Sequence, residues 1–186
     1  MKKSNIHRAM RQLKQKNNHS SNKRNFIPIY RVNLVKDNQI KFEQSPLQNA
    51  GQAQPILQRL IQEQGQSDRE QFCVALLNAK NQIIGLNIVS MGDLSSTTVH
   101  IREVFKPVIL GNACGILICH THPSEDLNPS AQDITFTRRM VHAGRILGIG
   151  VRDHIIISMT SDQFYSFADN EMIRQFHDEM RDWILK

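Results

Sequence analysis

His120 and His122 lie in the run HTHPSEDLNPSAQD, separated by one residue, and Asp133 follows eleven positions after the second histidine. Side chains on an extended backbone alternate with a period of two. Both imidazoles therefore project to one side and can reach one ion, while Cys119 and Thr121 face away. If Ser130 caps the following helix, Asp133 falls in its first turn and its short carboxylate can point back into the mouth of the loop. Two imidazoles and a carboxylate leave a fourth tetrahedral position for water, the ligand arrangement of a catalytic rather than a structural zinc. Water so held becomes acidic enough to supply hydroxide near neutral pH. A plainer reading makes the histidines strand-end residues bonded to backbone, and Asp133 the acid of a capping box with Ser130. Spacing alone leaves both open.

The elements that must position these residues follow from periodicity. CGILICH, residues 114–120, is a short isoleucine-rich run of the kind found in buried strands, and it leads directly into the histidine loop. Ser130 has the character of an N-cap for a helix to about Ala143, stopped by Gly144 or Gly148. Upstream, EQFCVALLN and QIIGLNIVSM form a strand pair across AKN. IREVFKPVIL is helical and ends at Gly111-Asn112. HIIIS (154–158) and the shorter QFYSF are further strands. The C-terminal stretch places Met172, Ile173, Phe176, Met180, Trp183 and Ile184 near one face of a last helix. Earlier in the chain, PIYRVNLV (28–35), the turn KDNQ and IKF predict a hairpin. Residues 44–53 read as a loop, and a helix starts at Pro55 with Ile56, Leu57, Leu60 and Ile61 on its apolar face. The result is one α/β unit with a mixed sheet in two or three layers.

Charge is segregated along the 186 residues. Residues 1–36 carry ten Lys or Arg and no acid, whereas the rest carries 13 basic and 17 acidic side chains. The chain is thus a mildly acidic body with a cationic arm at residues 1–26, ahead of a domain spanning 27–186. The Lys/Arg-rich residues 2–24 can track phosphates, so contact with DNA is one expectation and a solvated tail the other. No run of 18 apolar residues and no signal-peptide pattern appear, so a cytoplasmic protein with no membrane contact is expected. Cys73, Cys114 and Cys119 all lie in apolar runs and read as buried, reduced thiols.

HTHP, six residues and SAQD match the HxHP…SxxD signature of the JAB/JAMM (MPN-domain) metalloproteins. The blocks DREQFCVALLNAKNQII, VHIREVFKPVI, HTHPSEDLNPSAQDITFTRRMVHAGRILGI and VRDHIII resemble, in order, those of its RadC-like branch, over about residues 54–168. The resemblance implies a JAB/JAMM-like (cytidine-deaminase-like) mixed sheet flanked by helices. It implies one Zn2+ per chain, held by His120, His122 and Asp133. By itself Glu70 is an ordinary strand-end acid; the resemblance makes it the catalytic carboxylate that moves the proton of a zinc-activated water to a leaving nitrogen. Ser130 matches the serine that helps hold the oxyanion. The activity implied is hydrolysis of peptide or isopeptide bonds in a peptide or protein substrate that the sequence does not identify.

Two departures from the branch stand out. Glu125 occupies the place of a glycine in the usual HPSGD, which predicts strain if that position has positive φ, or altered access to the site. Ile101 follows His100 where proline is usual. His100 and His154 both sit in branch-like blocks and can line the cleft, although His154 fits a core histidine equally well. The helix–hairpin–helix module of longer RadC-like proteins, which carry a historical DNA-repair label, has no counterpart in the first 53 residues. A DNA-associated accessory protein, such as a zinc nuclease, and a catalytically silent partner-binding domain are the alternative functions.

Overall fold

The computed structural model describes residues 31–43, 45–65, 69–92 and 99–184, with backbone alone for 181–184. The chain divides into two units, residues 1–32 and 33–186, and the fold below is that of the second. The cationic arm at 1–26, the start of the expected hairpin at 28–30, residues 93–98, and the side chains of Trp183 and Ile184 lie outside the described residues.

Apolar runs too continuous to face water become the strands at the centre of the sheet. These are β1 (Gln71–Leu77) and β3 (Gly115–Thr121), every residue of which is buried. β2 (Ile83–Met91) pairs antiparallel with the other side of β1. β4 (Gly150–Ile157) runs parallel to β3, and β5 (Phe164–Ser166) pairs antiparallel with β4. The sheet order is β2-β1-β3-β4-β5. The parallel β3–β4 pair needs a crossover, which the helix Ala131–Leu147 supplies.

Period-two alternation divides the core between the two faces of this sheet. Phe72, Val74, Leu76, Ile116, Ile118 and Ile156 pack on one side with the helices α2 (Ile101–Leu110), α3 (Ala131–Leu147) and α4 (Met172–Ile184). Cys73, Ala75, Leu77, Leu117, Cys119 and Ile155 pack on the other with α1 (Ala50–Gln64). The unit therefore has three layers. Ile173, Phe176 and Met180 of α4 are buried, as their spacing predicts.

Three expectations need correction. Helix α1 begins at Ala50, not at Pro55, because Asn49 caps it by accepting from Gln52 N at 3.1 Å. Ala50 and Ala53 extend its buried stripe toward the N-terminus, so residues that look loop-like in composition are core. No strand forms in residues 31–43: Leu34 and Val35 are exposed there, and a two-stranded hairpin without a sheet to pack on is marginal in water. Cys114 is exposed, one residue ahead of β3, while Cys73 and Cys119 are buried. Burial pushes the Cys73 thiol up to about 12 and raises that of Cys119 as well, which makes both poor nucleophiles.

Candidate metal centre

His120 is fixed by the sheet. It pairs in register with Phe72 of β1, points to the three-helix side and is fully buried. His122 lies just past the end of β3, two residues on and on the same side, and its ring centroid is 4.7 Å from that of His120. The chain then turns through Pro123 to Pro129 and enters α3 at Ser130. A reciprocal capping box forms there: Ser130 Oγ accepts from Asp133 N at 3.1 Å, and Asp133 Oδ2 accepts from Ser130 N at 2.8 Å. The box turns the Asp133 carboxylate toward the histidines, with Oδ1 3.3 Å from His120 Nε2 and Oδ2 3.6 Å from His122 Nε2. The cap and the site-facing acid are thus one residue in one conformation.

Glu70 precedes β1, and its carbonyl accepts from Gly92 N at 2.9 Å, which ties it to the end of β2. One ligand atom each from Glu70, His120 and His122 lie within 4.8 Å of one another. These residues could hold a metal ion. The structure brings together all five residues singled out in the sequence: Glu70, His120, His122, Ser130 and Asp133.

The donor chemistry fits a cation. His122 Nδ1 donates to the Asp126 carbonyl, which has no proton to give. In neutral His122 the Nε2 lone pair is therefore directed into the cluster, 2.9 Å from His120 Nε2. Burial opposes ionisation of Asp133, but its contacts with His120, His122 and Ser130 outweigh it and hold its carboxyl far below the ordinary range. The hydrogen bond to Asp133 in turn raises the pKa of His122. Donors about 2.0–2.1 Å from a tetrahedral zinc stand about 3.3 Å apart. His120 Nε2 lies near that distance from both His122 Nε2, at 2.9 Å, and Asp133 Oδ1, at 3.3 Å, while His122 Nε2 is 3.6 Å from the other oxygen of the same carboxylate.

A cleft of about 580 Å³ reaches His122 and Asp133 and is lined also by Glu70, Ser124, Ser130 and Gln132. His120, fully buried beside His122, does not line it. Ser130 Oγ donates to Asp133 Oδ2 at 2.6 Å, so its hydroxyl proton is directed at the carboxylate rather than into the cleft.

Two side chains beside the site carry more than the sequence suggests. His154 is fully buried, 2.8 Å from His120 Nδ1 and stacked on Phe167, and Thr137 lies 2.6 Å from its other ring nitrogen. The sequence signal for His154 is its block VRDHIII, but only the strand register places it beside His120. Glu125 has φ +57, the left-handed conformation expected for the glycine it replaces, and its carboxylate reaches Ser158. His100 is exposed at the N-cap of α2 and makes no side-chain cap bond.

A mixed five-stranded sheet between helices, carrying a His/His/acid cluster at the end of its central strand, defines an α/β domain with a candidate metal centre. Residues 47–172 match the RadC-like JAB domain, and the chain belongs to that family. It is 51% identical over 114 residues to a UPF0758 protein of Moorella thermoacetica, covering 61% of this chain and 49% of that one. Over 118 residues it is 42% identical to a UPF0758 protein of Caldanaerobacter subterraneus subsp. tengcongensis, covering 60% and 51%. A UPF0758 protein of Desulforamulus reducens is 49% identical over 106 residues, covering 57% and 46%. The chain spans about half the length of the curated relatives it matches. Among the described residues no helix is long and apolar enough to cross a membrane.

Proposed function

We propose that this domain is a zinc-dependent hydrolase of peptide or isopeptide bonds. The observation that carries the proposal is the convergence of His120, His122 and Asp133, the last two lining an open cleft that Glu70 also lines. His120, His122 and Asp133 would hold the ion, which supplies Lewis acidity toward a carbonyl oxygen. Glu70 takes the proton of the attacking water and returns it to the leaving nitrogen, a transfer that suits a carboxylate within hydrogen-bond reach of both. Ser130 holds Asp133 in place. To donate to an oxyanion as well, its hydroxyl must rotate away from Asp133 Oδ2. No side chain forms a covalent bond to substrate, and the buried thiols Cys73 and Cys119 take no part.

The test is metal content of tag-free wild type beside His122→Ala. Near one zinc per chain is expected in the wild type, and much less in the folded variant. A peptide-library search with Glu70→Gln as control then reads turnover. Wild type that stays empty when given zinc overturns the proposal. Bound zinc with no amide turnover favours a partner-binding domain. The charge of residues 1–36 supports a second reading, DNA contact through Lys/Arg-rich residues 2–24. It requires DNA binding that weakens steeply with salt and disappears when residues 1–26 are removed.

A further inference from the structure

Behind the metal centre lies a chain of hydrogen bonds that is closed to water and can be ordered in only one direction. Thr137 Oγ1 is 2.6 Å from the main-chain carbonyl oxygen of Asp133, one helical turn earlier in α3. A carbonyl has no proton, so the hydroxyl must donate. Its only proton is thereby used. Thr137 Oγ1 also lies 2.6 Å from His154 Nδ1, so that nitrogen must carry a proton and give it to the oxygen. His154 is fully buried and stacked on Phe167, and its ring nitrogens face Thr137 and His120 rather than a carboxylate, so a charge there would be buried without an anion and the ring is neutral. A neutral imidazole with a protonated Nδ1 has a bare Nε2, and here Nε2 faces His120 Nδ1 at 2.8 Å. His120 Nδ1 is therefore the donor, and neutral His120 has its free lone pair on Nε2, facing His122 and Asp133.

We propose that Thr137 and His154 are positioning residues that fix the tautomer of His120 and so present its Nε2 lone pair to a metal ion. The proposal rests on the metal-centre reading above and assigns its selectivity for a cation over a proton donor to two residues that do not touch the cleft. Asp133 sits at both ends of the chain. Its backbone carbonyl sets the direction of the proton order, and its carboxylate faces the lone pair that this order exposes. The fold supplies the geometry: β3 and β4 are parallel with Ile118 beside His154, which sets His154 diagonally against His120 on the same sheet face. Thr137 is buried one turn below Asp133 on α3. Partners of this kind raise a histidine's basicity as a ligand and hold its ring, and their loss typically lowers metal affinity about 10- to 100-fold.

The experiment compares wild type, Thr137→Val and Thr137→Ser in two readouts. In the metal-free proteins, NMR of the imidazole nitrogens reports which atom carries each proton. The wild type is expected to show His120 protonated on Nδ1 and bare on Nε2. Valine cannot accept from His154 Nδ1, so in Thr137→Val His154 protonates on Nε2 instead, and His120 moves its proton to the side that faces the site. Thr137→Ser restores the wild-type pattern. Competition for zinc against a chromophoric chelator is the second readout. About 10- to 100-fold weaker binding is expected in Thr137→Val, with Thr137→Ser close to wild type. A proton on Nε2 of wild-type His120 overturns the proposal, and so does a Thr137→Val protein that binds zinc as tightly as wild type. The wild-type spectrum needs no variant, so a poorly folding Thr137→Val leaves the test intact. Wild type with the expected tautomers but no affinity for zinc would remove the hydrolase reading and leave the proton order standing.

Discussion

Glu125 holds the histidine loop to the end of β4 through Ser158: its Oε2 accepts from Ser158 Oγ at 2.6 Å although its own backbone sits at φ +57. The same carboxylate accepts from Met159 N at 3.2 Å and Thr160 Oγ1 at 3.1 Å. The Ser158 bond is the main influence that lowers its pKa. A non-glycine residue in this region costs about 1 kcal/mol, which these bonds offset. Glu125→Ala keeps the strain and loses the bonds, while Glu125→Gly loses both. Urea denaturation is expected to rank wild type above Glu125→Gly, and Glu125→Gly about 1 kcal/mol above Glu125→Ala. Alanine as stable as glycine at this position would show that the loop relaxes without strain.

Ser130 is expected to affect stability and metal binding together. Ser130→Ala removes the cap on Asp133 N and the donor to Asp133 Oδ2. Loss of such a cap costs about 1 kcal/mol, a fall of about 2–4 °C in thermal midpoint for a chain of this size. Asp133, freed to rotate, should also bind zinc more weakly, whereas Ser130→Thr retains both properties. A drop in midpoint with unchanged zinc affinity would limit Ser130 to helix capping.

Much of this site can be read from the chain because its elements are local. Two residues separate Ser130 from Asp133, and the strand period puts His120 and His122 on one side, so four side chains follow from spacing and one cap. The two sequence readings of Asp133, cap and site acid, describe the same conformation. His154 is different. Its contact with His120 spans 34 residues and depends on the parallel register of β3 and β4, which no local pattern encodes. The start of α1 was hidden for another reason: Ala50 and Ala53 carry too little apolar surface to mark a core stripe, yet both are buried. The expected hairpin failed in the opposite way. Alternation in residues 28–35 fits a strand, but a strand also needs a partner, and alternation says nothing of one.

Gly144 and Gly148, the two candidate stops for α3, have different work to do. Gly148 is the C-cap, with φ +71 and open space around it, so Gly148→Ala should cost about 1 kcal/mol, from backbone conformation alone. Gly144 lies inside the helix, where an added Cβ would stand 2.4 Å from the Ile149 carbonyl oxygen and 3.2 Å from Val151. Backbone cannot move aside as a flexible side chain does, so Gly144→Ala must push α3 away from the start of β4. A loss of about 2–3 kcal/mol is expected in denaturant titration. Equal losses at the two glycines would contradict the close approach of α3 to the 149–151 segment.

The pH dependence of stability should carry the mark of Asp153, which is buried in β4 and bonded to Ser166 of β5. Its Oδ1 accepts from His154 N at 2.7 Å and Ala168 N at 2.8 Å, and its Oδ2 from Ser166 Oγ at 2.6 Å. Burial pushes its carboxyl up from 3.8 to about 6 against the pull of these bonds, and the nearby Asp169 adds to the rise. A carboxyl with a raised folded pKa binds its proton more tightly in the native state than in the unfolded chain. Its contribution is therefore fully present below pH 3.8 and is lost as pH rises through about 6. A shift of this size corresponds to roughly 3 kcal/mol. Asp153→Asn keeps an acceptor for the two backbone donors and removes the titration, while other groups titrate alike in both proteins. The stability of wild type relative to Asp153→Asn should thus fall between about pH 4 and 6 and level off above. Denaturant titrations of the two proteins across that range check it, and a difference that stays flat, or grows with pH, would place the folded pKa of Asp153 at or below its unfolded value.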